Sequence, residues 1–227
     1  MTPPAVGFFD SGLGGTTVAR AFLRLRPRAP VFYVADWEHC PYGGRPDPDI
    51  RARALEIGAE LLEERGCAML VVACNSASAV ALDALRAAHP GVPVVGMEPA
   101  VKPAAAMSRT GCVGILATAH TLRGRLFRET AARHAAGVRV ETAVGEGFVE
   151  LAEAGDVSSP AARETAARVL APLLAARCDP IVLGCTHYPL LLPLLRAVAP
   201  EARFLDPAEA VARRAASLWD ALAAAAR

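Results

Sequence analysis

Lysine is nearly missing from this chain, with Lys102 its sole example, and no two of its six cysteines form a Cys-x-x-Cys pair. Charge of one sign is missing as well: the formal net charge is +1. Neither the basic stripe that tracks nucleic acid nor the low-hydrophobicity, one-sign tail of a disordered protein is therefore read here. No run of about 18 uninterrupted apolar residues occurs, so no membrane span is expected. The first residues, "MTPPAVGFFDSG", lack a basic leader region, and Asp10 interrupts their apolar patch; the chain is expected in the cytoplasm. Cys40, Cys67, Cys74, Cys112, Cys178 and Cys185 lie far apart, which argues against a disulfide framework and against structural zinc. No metal site is assigned. Four of the six need only the ordinary reading of free cysteine as a small buried hydrophobe.

What is abundant is hydrophobic residue, 53% of 227 positions, enough for one large domain or two small ones with a substantial core. Short apolar runs alternate with longer segments of helical period. "AVGFF" (5–9), "PVFYVA" (30–35), "AMLVVA" (68–73) and "VPVVGM" (92–97) read as buried strands, with "GTTVARAFLRLRP", "DPDIRARALEIGAELLEERG" and "SASAVALDALRAAHP" as helices between them. The pattern restarts with "CVGILAT" (112–118), "GVRVETA" (137–143) and "PIVLGC" (180–185), and its helices are "TLRGRLFRETAARHA" and "SPAARETAARVLAPLLAARC". Such alternation predicts α/β architecture, parallel sheets with helices on both faces.

The restart is also a repeat. "VGFFDSGLGGTTVARAF" (6–22) aligns with "VGILATAHTLRGRLF" (113–127), and "VVACNSASAVALDAL" (71–85) with "VLGCTHYPLLLPLL" (182–195). The second alignment sets Cys74 against Cys185, and the first sets Asp10–Ser11 against Ala117–Thr118. Two pseudo-symmetric doubly wound lobes are expected, with the active site in the cleft between them. In open α/β sheets ligands bind beyond the carboxyl ends of the strands, where these residues fall.

Cysteine at a strand-to-helix junction sits near backbone N–H groups and a positive helix end, which favour thiolate over thiol. One such cysteine with a histidine, as in Cys185 and His187, would suit a covalent nucleophile in a hydrolase or acyltransferase. Two in equivalent contexts suit another reaction better. Inverting a carbon that bears hydrogen needs a base on one face and an acid on the other, each able to exchange roles. Thiolate and thiol of duplicated lobes supply that matched pair, and the chemistry is racemisation or epimerisation.

"GFFDSGLGGTTV", "CPYGGR", "VVACNSASA", "VGILAT" and "LGCTHYPLL" together resemble the glutamate racemases of the cofactor-independent aspartate/glutamate racemase superfamily, over about residues 6–213. The resemblance implies interconversion of L- and D-glutamate without pyridoxal phosphate or any other cofactor, supplying D-glutamate for peptidoglycan, by a homodimer. It implies Cys74 and Cys185 as the two bases. Asp10 would lie near the substrate ammonium and Cys74, His187 would assist Cys185, and Glu153 would support that second base. Ser11, Tyr42, Gly43, Asn75, Ser76, Thr118, Thr186 and His187, with Asp10, would bind the substrate. The final segment would return to the first lobe, giving lobes 1–97 with 207–227 and 98–206.

Two departures stand out. The family usually has a Cys-Pro pair where Gly145 and Glu146 stand, and often proline at Glu150; the chain is also somewhat short for the family. Three other readings are weighed. "DSGLGG" after a strand, with Asp36 ending the next, imitates a dinucleotide fingerprint but has Thr17 at the third glycine. A racemase of another acidic amino acid such as aspartate is one alternative. A non-catalytic binding or regulatory protein on the same fold is the other, some relatives being associated with DNA gyrase inhibition.

Overall fold

The computed structural model describes residues 3–135 and 137–225. The outermost two residues at each end of the expected first lobe lie outside them. Among the described residues, eight strands form two four-stranded, wholly parallel sheets. The first unit runs to Met97 and resumes at Ala208; the second spans Glu98–Pro207.

In the first unit, β1 (Val6–Asp10) leads through α1 (Thr16–Leu25) to β2 (Val31–Ala35), and α2 (Asp47–Ala59) leads to β3 (Met69–Val72). Next come α3 (Asn75–Ala88) and β4 (Val94–Gly96), and the strand order is β2-β1-β3-β4. The second unit opens with α4 (Val101–Met107) and β5 (Cys112–Ala117), followed by α5 (Ala119–Arg123), α6 (Arg125–His134) and β6 (Arg139–Val144). After α7 (Phe148–Glu153), α8 (Pro160–Ala175), β7 (Ile181–Gly184), α9 (Leu192–Val198) and β8 (Phe204–Leu205), its order is β6-β5-β7-β8. The chain then returns to the first unit as α10 (Ala208–Ala225). Each unit therefore has the same winding, with β1 and β3 matched by β5 and β7 at the centre. One helix read as continuous is broken: Gly124 takes an extended conformation (ψ 142°) and separates α5 from α6.

Strand alternation sorts the first unit's core into two layers. Val6, Phe8, Met69 and Val71 face α1 and α10, packing with Val18, Phe22 and Ala212. Phe9, Leu70 and Val72 face α2 and α3, packing with Ile57, Leu61, Ala81 and Leu85. Each fully buried aliphatic or aromatic side chain here stabilises the fold by about 1.5–3 kcal/mol. The two helices that follow the central strands thus leave on opposite faces, α1 on one and α3 on the other. That divergence opens a crevice at the carboxyl ends of β1 and β3, the switch point where doubly wound sheets bind ligands. The second unit repeats the scheme. Val113, Ile115 and Val182 pack with Val101, Ala104 and Phe127 of α4 and α6, while Leu173 of α8 lies over Gly114 on the other face.

Candidate active site

Asp10 is the last residue of β1 and is fully buried. Its Oδ2 accepts hydrogen bonds from the backbone N–H of Gly15 at 2.9 Å and of Gly12 at 3.4 Å, so the "SGLGG" turn wraps the carboxylate. Tyr33 ties the turn down by donating its hydroxyl to Gly12 O at 2.8 Å. Across the switch point, Cys74 caps α3: its Sγ accepts from Ala77 N at 3.5 Å and lies 3.9 Å from Ser11 Oγ. A helix of 14 residues thus begins directly on the sulfur, where its dipole favours negative charge. Ser76 is buried one residue further on.

Asn75, 2% exposed, is the conspicuous residue of this half. Neither its Nδ2 nor its Oδ1 has a hydrogen-bond partner. A buried amide left unmatched costs about 1–3 kcal/mol, which a polar ligand at the Cys74 end of α3 would recover.

Tyr42 and Gly43 lie in a short 3-10 turn, Tyr42–Gly44, with the tyrosine fully buried in the same cluster as Cys74. Its hydroxyl donates to Asp36 Oδ2 at 2.6 Å. Arg53 grips that carboxylate with two N–H groups, Nη2 to Oδ1 at 2.9 Å and Nε to Oδ2 at 3.2 Å, and His39 Nδ1 lies 3.0 Å from Oδ1. Burial alone would raise the Asp36 carboxyl; the hydrogen bonds from Arg53, Tyr42 and His39 outweigh it and hold the group below its ordinary range. Burial first, and then the Asp36 carboxylate, push the Tyr42 phenol well above its ordinary value. Asp36, the acidic residue of the dinucleotide-like pattern, is therefore fully engaged inside the protein. Sequence reading missed its link to Arg53; the one available signal was an aspartate just past β2, as Asp10 closes β1.

In the second unit, Cys185 follows β7 as Cys74 follows β3, and it is 6% exposed. His187 Nδ1 lies 3.9 Å from its Sγ, and the other ring nitrogen, Nε2, meets Glu153 Oε1 at 2.5 Å. Glu153 ends α7, so a carboxylate, an imidazole and a thiol form one relay. The carboxylate fixes which ring nitrogen faces the sulfur. Thr186, between them, is buried, as is Thr118 at the end of β5. Thr118 Oγ1 accepts from Thr121 N at 3.3 Å and lies 3.0 Å from Thr121 Oγ1, capping α5.

The Asp/Glu/Hydantoin racemase family matches residues 16–215. The chain belongs to that family. It is 48% identical over 214 residues to the glutamate racemase of Roseiflexus sp. (strain RS-1), covering 94% of this chain and 78% of that one. Among solved structures, it superposes on Escherichia coli glutamate racemase, determined with L-glutamate and the activator UDP-MurNAc-Ala, with a TM-score of 0.88. That match has 39% identity and covers 96% of this chain and 83% of the other. Glutamate racemase from Aquifex pyrophilus matches with a TM-score of 0.76 and 32% identity, over 94% and 83% of the two chains.

Family membership gives the departure at Gly145 a physical setting. A Cβ built there would lie 2.3 Å from the Tyr188 hydroxyl oxygen, and that hydroxyl donates to Gly145 O at 3.3 Å. Tyr188 in turn stacks edge-on against Phe148, ring centres 5.3 Å apart, at the start of α7. In this racemase-family chain the glycine admits the tyrosine of "GCTHYP", which braces the helix that carries Glu153.

Proposed function

We propose that this protein interconverts L- and D-glutamate by a two-base reaction in which Cys74 and Cys185 serve opposite faces of one substrate carbon. The observation that carries the reading is the equivalence of the two cysteines: each follows the third strand of its unit, a central strand of a sheet with the same winding. In one direction the thiolate of one cysteine removes the α-proton, breaking Cα–H and forming S–H. The other cysteine then delivers its S–H proton to the opposite face of the resulting carbanion and is left as thiolate. The reverse reaction exchanges their roles. Asp10, beside Cys74, suits the substrate ammonium, and the unmatched Asn75 amide suits the substrate carboxylate. Ser11, Tyr42, Gly43, Ser76, Thr118 and Thr186 complete the binding set. His187, oriented by Glu153, moves a proton to and from Cys185.

Pyridoxal phosphate is not needed in this reading, and the chain's lysine content supports that. Such a cofactor needs a lysine for its Schiff base, and Lys102 is exposed on α4. The identity to named glutamate racemases supports glutamate as substrate and, with it, a role in supplying D-glutamate for peptidoglycan, in the cytoplasm and as a homodimer. No helix among the described residues is long and apolar enough to cross a membrane.

The test is circular dichroism of L- and D-glutamate in deuterated water, without added cofactor, on the wild type, Cys74→Ser and Cys185→Ser. The expected result is racemisation with deuterium at Cα in the wild type and its loss in each variant. A wild type that is inert on glutamate and aspartate alike overturns the reading. Activity on aspartate alone transfers it to that substrate.

A further inference from the structure

Asp36 and Arg53 are absorbed neither by the two-base chemistry nor by the binding set, yet they form a two-point ion pair whose carboxylate is buried and whose guanidinium is half-buried. Asp36 stands immediately after β2, and its backbone N–H donates to Asp10 O at 3.0 Å, so it is anchored to the strand end that carries the candidate ammonium ligand. Its carboxylate receives both Arg53 contacts, the His39 ring and the Tyr42 hydroxyl. Arg53 is held in turn by Glu56 Oε2 at 2.5 Å, one helical turn along α2.

The consequence falls on Tyr42. A phenol has one proton to donate, and Asp36 takes it at 2.6 Å. The Tyr42 oxygen is left as an acceptor, on a fully buried ring that shares its cluster with Cys74. An acceptor held in the same buried cluster as the sulfur favours whatever donates there: the S–H of Cys74 after it has taken a proton, or an ammonium. Were the hydroxyl released, it would rotate and donate instead.

We propose that Asp36, clamped by Arg53, is a positioning residue for the Cys74 half of the reaction, fixing the Tyr42 ring and committing its hydroxyl as an acceptor. The inference rests on the two-base reading. Because Asp36, His39, Tyr42 and Arg53 all belong to the unit that carries Cys74, loss of the clamp slows proton transfer at Cys74 more than at Cys185.

The experiment compares wild type, Arg53→Met, Arg53→Lys and Tyr42→Phe, reading kcat, KM and the primary isotope effect with α-deuterated D- and L-glutamate. Cys74→Ser serves as reference, since the enantiomer whose α-proton it no longer exchanges with deuterated water is the one Cys74 deprotonates. Arg53→Met should lower kcat by roughly 10- to 100-fold, the range expected when a reacting group is mispositioned by about 1 Å. Its isotope effect should rise with the Cys74 enantiomer only, Arg53→Lys should recover part of the loss, and Tyr42→Phe should reproduce the asymmetry. Arg53→Met in the Tyr42→Phe background should then add little, because both act through one ring.

Equal isotope effects for the two enantiomers in Arg53→Met and Tyr42→Phe, or fully additive losses, overturn the proposal even where the wild type racemises. If Arg53→Met fails to fold, Tyr42→Phe alone decides, since it keeps the ring and removes the hydroxyl that bonds Asp36 and serves as the acceptor. A wild type without racemase activity overturns the two-base reading itself, which separates the two failures.

Discussion

Space, more than backbone conformation, dictates the glycine that packs against Asp10. Gly15 has φ −63°, a value any residue adopts, so its need for glycine is not a matter of turn geometry. A Cβ there would come within 2.7 Å of the Asp10 Cβ, 2.9 Å of the Ala73 Cβ and 2.9 Å of the Tyr33 hydroxyl. Gly15→Ala should therefore cost about 1–3 kcal/mol of stability through overpacking. It should also lower turnover more than it raises KM for an unrelated surface contact, because the displaced neighbours are Asp10 and the residue before Cys74. Urea denaturation together with steady-state kinetics checks this; unchanged stability and kcat would show that the turn relaxes freely. At this scale sequence reading went far with residues whose chemistry is local. Cys74 and Cys185 declare themselves by following apolar runs. Asn75's unmatched amide, the Asp36–Arg53 clamp across 17 positions and the Glu153–His187 contact across 34 are tertiary facts, the last suggested only by family resemblance.

Elements place those residues, and the first turn of α3 is where structure and chemistry share an atom. Cys74 Sγ is both the candidate base and the acceptor that caps Ala77 N. Substitution should separate the two roles. Cys74→Ala removes base and cap, whereas Cys74→Ser removes the base and supplies a better capping oxygen. Both should lose racemisation, but the alanine variant should be less stable than the serine variant by about 1 kcal/mol, the usual worth of an N-cap. Chemical denaturation at neutral pH measures the difference; equal stabilities would mean the sulfur contributes nothing as a cap. The long elements were legible because buried parallel strands are continuous apolar runs and their helices carry a 3.6-residue period. β8, with two residues, is too short to show any period, and the α5–α6 break turns on one glycine's conformation. α7 was hidden because its six residues offer a single turn of pattern.

At the scale of the whole molecule, the chain's poverty in lysine leaves its alkaline behaviour to buried acids. Burial, joined by hydrogen bonding to Cys112 at a sulfur separation of 3.1 Å, pushes the Cys178 thiol up to about 12. Burial also raises the Cys67 thiol and, before any charge effect, the Tyr42 and Tyr188 phenols. Each of these groups stays neutral in the folded protein at a pH where it ionises in the unfolded chain, whose cysteines titrate near 8.5 and tyrosines near 10. Their contribution is therefore complete below the unfolded values. It is lost as pH rises through the window between the unfolded and folded ones, because the unfolded state then binds fewer protons. The urea midpoint should accordingly hold steady from pH 7 to about 8.5 and fall above it, first from the cysteines and then, past about 10, from the tyrosines. Cys178→Val removes one ionising thiol and keeps its apolar volume, so it should flatten the fall between about pH 9 and 10 while leaving the midpoint at pH 7 within the small range of a volume-conserving swap. Midpoints measured by circular dichroism at pH 7, 9 and 10 decide the matter: a variant that declines as steeply as the wild type would mean that Cys178 ionises as readily folded as unfolded.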